Sequence, residues 1–360
     1  MFPYKELKQV HLEITNNCQA SCPMCARNIQ GGLENPLIKL NDWSLDDYMK
    51  VMNVELLSQL DGIYFCGNFG DPLLNNDLLD MCAYSTIINP NLNLRIHTNG
   101  SLRNSKWWTK LASVLPEQHN VVFALDGLAD THDLYRVGTD YNQILRNASA
   151  FINAGGKAEW CFIKFKHNEH EVEQAKEIAK QLGFQKFTVK NSSRFLLEPK
   201  IDVLDKNGKV THIIEPSSDI PIKFIDRKII ESYKDIMKDT VIDCQAYNQR
   251  EIYIDAYKNV FPCCWLASIP YTVVENGGPI EPVRLEILKQ YHNLVNTLGG
   301  IDKLNAINNT VESIVNSEAY QTAWTEYWTT NKLITCARTC GVSNVEFAKP
   351  RNQVQEITNL

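Results

Sequence analysis

Three cysteines stand close together in Cys18-Gln19-Ala20-Ser21-Cys22-Pro23-Met24-Cys25, at C-x3-C-x2-C spacing. Three neighbouring thiolates suit an iron–sulfur cluster or a zinc ion. Three, rather than four, is the informative number. A four-iron cubane held by three cysteines leaves one iron without a protein ligand. An open metal position is where a small molecule binds and reacts, whereas closed sites are structural. Zinc completed by a distant fourth ligand is the competing reading. Five more cysteines, Cys244, Cys263, Cys264, Cys336 and Cys340, crowd the last third. The total of eleven is odd, which argues against a disulfide framework and for metal binding in a reducing compartment. Cys82 and Cys161 read as small buried apolar side chains, and Cys66 as a buried thiol or a hydrogen-atom donor.

A second set of polar residues follows short apolar runs: Gly70-Asp71, Thr98-Asn99, Asp126 and Asn168. A carboxylate at Asp71 suits an ammonium group, and Arg136 suits a carboxylate held by two parallel hydrogen bonds. Taken singly, each is also an ordinary turn former. Lys164, Lys166, His167 and Lys190 offer positive charge to an anionic substrate, or are simply solvated strand ends.

The elements that must position these residues are legible as a rhythm. Strand-like runs at Val10–Ile14, Gly62–Phe65, Leu92–His97, Val121–Leu125, Ala158–Lys166 and Lys186–Lys190 alternate with helical patterns. Leu45, Tyr48, Met49, Met52, Leu56 and Leu60 repeat every three to four residues. So do Ile144, Leu145, Ala148, Phe151 and Ile152, and Val172, Ala175, Ile178, Ala179 and Leu182; Leu73–Thr86 and Ser105–Leu115 complete the series. Period 3.6 between short apolar runs predicts repeated βα units and a parallel sheet, open or barrel-like. In such folds the strand C-termini share one face, and that face holds the active site.

Beyond Lys190 the rhythm changes. Ile201–Glu215 predicts a hairpin around Asn207-Gly208, Asp226–Met237 a helix, Ile252–Phe261 a second hairpin, and 283–330 mostly helix broken at Gly299-Gly300. We expect a core over 1–195, a linker over 196–240 and a smaller irregular domain over 241–360.

The 360 residues are 44% hydrophobic, ample for a large core. A net charge of −6 disfavours a nucleic-acid partner. No apolar run reaches membrane-span length. MFPYKELKQVHLEIT lacks the basic and apolar regions of a signal peptide, so a soluble cytoplasmic protein is expected.

Cys18, Cys22 and Cys25 resemble the signature of radical S-adenosylmethionine (SAM) enzymes. Phe65-Cys66-Gly67-Asn68-Phe69-Gly70-Asp71-Pro72-Leu73-Leu74 resembles that family's Gly-Gly-Glu-Pro-Leu segment, with aspartate replacing glutamate. His97-Thr98-Asn99-Gly100 is similar to its Thr-Asn-Gly. Ala124-Leu125-Asp126-Gly127 with His132, Asp133 and Arg136 resembles the segment after its fourth strand, and Asn168 its asparagine after the fifth. Met24 stands where an aromatic is usual. The resemblance covers about residues 8–190. It implies an α/β fold, a partial (β/α)6 TIM-like barrel. It also implies a [4Fe–4S] cluster with an open iron on Cys18, Cys22 and Cys25, and SAM bound by Gly70, Asp71, Thr98, Asn99, Asp126, Arg136 and Asn168. The implied reaction is reductive cleavage of SAM to a 5′-deoxyadenosyl radical that abstracts hydrogen from a substrate carbon. The implied electron donor is a protein such as flavodoxin or ferredoxin.

The C-terminal cysteines resemble the auxiliary-cluster domain of the same family, called SPASM with two clusters and twitch with one. Cys244, Cys263, Cys336 and Cys340 would supply one further [4Fe–4S] cluster or a zinc, with Cys264 replacing Cys263 or standing spare. Lys258 stands where the family has a hairpin glycine, so a locally different turn is expected. The expected substrate is a peptide or protein side chain, oxidised or cross-linked. The alternatives are dehydrogenation of a small polyol or aminosugar, or a non-catalytic zinc-stabilised α/β binding module.

Overall fold

A computed structural model describes residues 1–196, 200–219, 237, 240–271, 282–342 and 354–360. The six expected strands form, as β1 (Gln9–Leu12), β2 (Gly62–Phe65), β3 (Asn93–Thr98), β4 (His119–Ala124), β5 (Ala158–Lys164) and β6 (Lys186–Asn191). They pair in parallel, in sequence order. The helices between them are α1 (Leu45–Val51), α2 (Leu78–Ile88), α3 (Ser105–Val114), α4 (Tyr141–Asn153) and α5 (Val172–Leu182). The result is α/β, a parallel sheet of the partial TIM-barrel kind.

One face of this sheet is apolar. Val10, Leu12, Ile63, Phe65, Leu94, Ile96, Phe123, Trp160, Phe162, Phe187 and Val189 form a continuous buried core with the helices. Strand side chains alternate, so the other face carries His11, Tyr64, Cys66, His97, Glu159 and Thr188. A polar inner face is costly unless each group finds a partner, and it is where chemistry belongs.

Local chemistry sets the helix ends. Ser44 and Asp47 form a reciprocal capping box on α1. The expected helix through Leu60 is interrupted, because Asn53 accepts from Leu56 N and starts a separate turn, Val54–Gln59. Similarly α2 starts later than the apolar spacing suggests, since Asp71 and Pro72 impose a short 3-10 turn at Pro72–Leu74.

The hairpin at 201–214 forms as Ile201–Leu204 against Val210–Ile214. The expected helix Asp226–Met237 lies outside the described residues apart from its last position. The second hairpin pairs β7 (Glu251–Ile254) with β8 (Val260–Phe261). It does not stand apart: β7 lies parallel to β1 and widens the barrel sheet. At the opposite edge β9 (Val354–Asn359) pairs antiparallel with β6. The nine strands run in the order β8-β7-β1-β2-β3-β4-β5-β6-β9. Helices α6 (Pro282–Thr297), α7 (Glu318–Thr329) and α8 (Ile334–Cys340) follow the hairpin. Their Leu294, Tyr320 and Trp324 belong to the same continuous core as β1.

The turn at Lys258 corrects the expectation of a different local geometry. Lys258 adopts φ +70°, the left-handed conformation that glycine takes most readily. Asp255 holds it there: its carbonyl accepts from Lys258 N at 2.9 Å, and its carboxylate accepts from Asn259 N at 2.8 Å. The lysine side chain then reaches Asp47, 3.3 Å away.

Candidate active site at the C-terminal ends of the strands

The loop after β1 carries Cys18, Cys22 and Cys25. Its backbone is tied down without help from the sulfurs. Ser21 N donates to Val137 O at 2.7 Å, and Arg27 Nη2 to Ala20 O at 3.2 Å. Asn99 Nδ2 lies 3.8 Å from Cys18 Sγ, and Arg136 Nη1 lies 3.9 Å from Cys22 Sγ. The three sulfurs are near enough that Cys18 responds to both Cys22 and Cys25, while burial dominates in pushing its thiol up.

Among the described residues, no three Cys, His, Asp or Glu side chains converge tightly enough to grip a single metal ion. A four-iron cubane draws its thiolates from farther apart than one ion does. Three thiols on one pinned loop, flanked by Asn99 and Arg136, which donate to sulfur rather than ligate metal, fit the cluster as a donor set.

Gly70 and Asp71 sit on the loop after β2. Asp71 is buried and its carboxylate is fully engaged. It accepts from Leu73 N (3.0 Å), Thr98 Oγ1 (2.9 Å), Asn99 N (2.7 Å) and Asn99 Nδ2 (2.6 Å). Burial raises this carboxyl and those donors lower it. Asp71, Thr98 and Asn99 are therefore one unit, joining the ends of β2 and β3 beneath Cys18. A ligand ammonium would have to share the carboxylate with four donors already present. At Gly70 a Cβ would overlap the Thr15 carbonyl, so the loop passes the β1 loop at a distance only glycine permits.

Asp126 and Arg136 pair at 2.6 Å, the carboxylate wholly buried. The other Asp126 oxygen accepts from Ile163 N at 2.6 Å. Burial lowers the Arg136 guanidinium, but the Asp126 carboxylate and Cys22 more than offset it and hold Arg136 well above its ordinary value. Asp126 thus aims the guanidinium at the cysteine loop. Asn168 is fully buried and serves the bend after β5: its Oδ1 accepts from Phe165 N at 2.7 Å and its Nδ2 donates to Ile163 O at 3.0 Å. Of the four cationic candidates, Lys164 is paired with Asp219 and Lys166 with Glu215. His167 stacks on Phe165.

Sequence reasoning missed Glu13, just past β1. Its Oε1 accepts from Phe69 N (2.8 Å) and Gly70 N (3.1 Å), and its Oε2 from Tyr253 OH (2.5 Å). It fastens the glycine loop to β1 and β7 together. The signal was present, since a lone acid at a strand end facing a glycine-rich loop needs donors. Burial pushes this carboxyl from 4.5 up to about 7, against the pull of those hydrogen bonds. The folded state therefore holds a proton that the unfolded chain has released. Glu13's contribution to stability is full below pH 4.5 and is lost as pH rises through about 7. Urea unfolding at pH 5 and pH 8 should show wild type losing about 3 kcal/mol more than Glu13→Gln over that interval. Equal losses in the two proteins would contradict this.

In the C-terminal region, the short strand pair Val241–Ile242 and Gly341–Val342 brings Cys244 beside Cys340. Their thiols share a hydrogen bond, which with burial and Cys263 pushes Cys244 up. Cys336 sits one turn before Cys340 on α8, and its thiol senses Cys263 and Cys340. Cys264 faces elsewhere: besides Cys263, its electrostatic neighbours are Cys66, Glu251 and Glu13, on the barrel's inner face.

No protein-family model and no curated protein matches the sequence. Solved structures do match in fold. SuiB of Streptococcus suis bound to the precursor peptide SuiA aligns over 89% of this chain with a TM-score of 0.53 at 12% identity. This chain spans 66% of that protein's length. The protein anSMEcpe with bound AdoMet aligns over 97% of this chain and 89% of its own, with a TM-score of 0.51 at 13% identity. Its complex with AdoMet and the Kp18Cys peptide gives 0.50 over 96% and 92%, at 13% identity. The pinned three-cysteine loop at the mouth of a parallel barrel, and the hairpin and helices that extend it, thus have the fold of the radical SAM enzymes that carry a SPASM- or twitch-type C-terminal domain.

Proposed function

We propose that this chain is a radical SAM enzyme acting on a peptide or protein side chain. The observation that carries the reading is the meeting of Cys18, Cys22 and Cys25 with Asn99 and the Arg136–Asp126 pair at one barrel mouth. Cys18, Cys22 and Cys25 would hold a [4Fe–4S] cluster, which when bound would supply the single electron that reductive cleavage of SAM needs.

The chain's own residues do the rest. Arg136 commits its Nε–H to Asp126 and turns its terminal N–H groups toward the cysteine loop, with Nη1 near Cys22 Sγ, where they would take the carboxylate of methionine. Asp71 fixes Thr98 and Asn99, so that the Asn99 amide stays beside Cys18. Gly70 lets the backbone approach closely enough for its polar groups to meet the amino group. The inner face below, with His11, Tyr64 and Tyr253 packed ring to ring, excludes water from the reaction space.

Cys244, Cys263, Cys336 and Cys340 would hold a second [4Fe–4S] cluster in this reading, with residues 1–195 as core and 241–360 as auxiliary domain. A flavodoxin or ferredoxin supplies the electrons. The peptide assignment draws support from the two relatives whose structures contain a peptide. Among the described residues no helix is long and apolar enough to cross a membrane.

The test is anaerobic loading with iron and sulfide, then dithionite and SAM. Methionine and 5′-deoxyadenosine should appear in equal amounts, and mass spectrometry of offered peptides should show loss of hydrogen from one side chain. Iron-loaded protein that leaves SAM intact would overturn the proposal.

A further inference from the structure

The inner face of β6 presents Lys186, Thr188 and Lys190 at successive levels, while Phe187 and Val189 point into the core. The two lower residues are satisfied by one acid. Lys186 Nζ lies 3.3 Å from Glu159, and Thr188 Oγ1 donates to Glu159 at 2.6 Å. One level higher this provision stops. Lys190 is aligned with Ile163 on β5 and with Val354 on β9, neither of which carries a charge. Among the described residues the half-buried Lys190 ammonium has no hydrogen bond and no ion pair. Its charge reaches Cys66 of the β2 loop, His97 of β3, Asp126 beyond β4 and Cys161 of β5. At the C-terminal end of β6, on the sheet face that also carries His97, Lys190 opens onto the barrel mouth.

A second polar group waits there unanswered. His97 Nδ1 meets Tyr64 OH at 2.9 Å, but its Nε2 is buried without any hydrogen-bond partner. When Tyr64 donates to Nδ1, Nε2 carries the proton and is a donor. Among the described residues, Asp126, the carboxylate that the Lys190 charge reaches, is already spent on Arg136 and Ile163 N. The remaining groups that face Lys190, Cys66 and Cys161, are thiols whose protons burial retains. A lysine charge and a buried donor with no counter-ion leave room for an anion brought by something else.

We propose that Lys190 Nζ and His97 Nε2 form the receptor for an oxyanion of the substrate, a carboxylate or a phosphate, and so set which carbon meets the radical. This rests on the radical SAM reading of the mouth above it. The subsite is built on rigid strands, so the anchor fixes position as well as affinity.

The experiment is calorimetric titration of the iron-loaded protein, with SAM present, by inorganic phosphate and separately by succinate. Wild type should bind at least one of them saturably, at about millimolar strength. Lys190→Met should weaken that binding by about tenfold or more, Lys190→Arg by no more than about threefold, and SAM affinity should hold within about twofold in both. Preference for phosphate points to a phosphorylated substrate and preference for succinate to an acidic side chain or chain end; either supports the proposal. It is overturned if wild type binds neither anion, or if Lys190→Met binds them as wild type does. It is equally overturned if Lys190→Met loses SAM together with the anion, which would give Lys190 to the methionine carboxylate. Lys190-dependent anion binding in a protein that leaves SAM uncleaved would instead overturn the reaction while leaving the receptor standing.

Discussion

Replacing Cys18, Cys22 and Cys25 together with alanine should leave a folded protein that forms no detectable 5′-deoxyadenosine and retains about half of the wild-type iron. The fold survives because the loop is not held by its sulfurs. Ser21 N on Val137 O, Arg27 on Ala20 O and the Cys25 N–Cys22 O turn all remain in the variant. Cys18 and Cys25 are partly exposed, so trimming them creates little cavity, and only Cys22 is buried. The chemistry is lost because, among the described residues, the thiols that act on Cys18 are Cys22 and Cys25 themselves. Iron and sulfide analysis, circular dichroism and product chromatography on one preparation check all three statements. Substantial turnover by the variant would remove the first cluster from our account, whatever the iron content.

Asp71→Ala should be the most destabilising single change at this site, by about 3–5 kcal/mol. The physical reason is the count of donors left behind. Leu73 N, Thr98 Oγ1, Asn99 N and Asn99 Nδ2 all point at one buried carboxylate. Asn99 Nδ2 keeps Cys18 Sγ and Gln19 Oε1 in range, but the other three lose a buried acceptor, and each donor left unpaired costs more than its bond contributed. Asp71→Asn keeps one carbonyl oxygen in place and should cost about half as much. Urea unfolding followed by tryptophan fluorescence measures both. An alanine variant within about 1 kcal/mol of wild type would show that these donors find other acceptors. The released Asn99 amide would also lose its fixed position beside Cys18, so SAM cleavage in the refolded variant should fall along with stability.

Much of the barrel was legible because its outer face is so uniformly apolar. Runs such as Val121-Val122-Phe123-Ala124 between amphipathic helices permit little else, and all six strands appear within a few residues of their expected limits. The cysteine loop and the polar residues at four strand ends were legible for a related reason: their types are expensive to place anywhere but a site. What could not be read depends on distant partners. Glu251–Ile254 announces a hairpin, but nothing local says that it will lie against Gln9–Leu12. Val354–Asn359 was not anticipated as a strand, because its pairing with β6 leaves it largely exposed and without apolar alternation. Asn53 broke an apolar periodicity that otherwise ran on. Lys258 was expected to alter its turn, yet Asp255 holds a lysine in the conformation that glycine would have taken. Asp71 suits an ammonium group in the sequence, and three of its four internal donors, on Thr98 and Asn99, are visible only once β3 is beside it.

The placement of β7 beside β1 has a bearing on how the molecule is made. Residues 9–12 leave the ribosome well ahead of their partners, residues 251–254, which follow some 240 positions later. Until then one long edge of the first strand has nothing to pair with, and Glu13 lacks the hydroxyl of Tyr253. During synthesis the nascent barrel must keep that edge from sticking to its neighbours, and the glycine loop that Glu13 fastens lacks its tie to Tyr253 until residues 251–254 arrive.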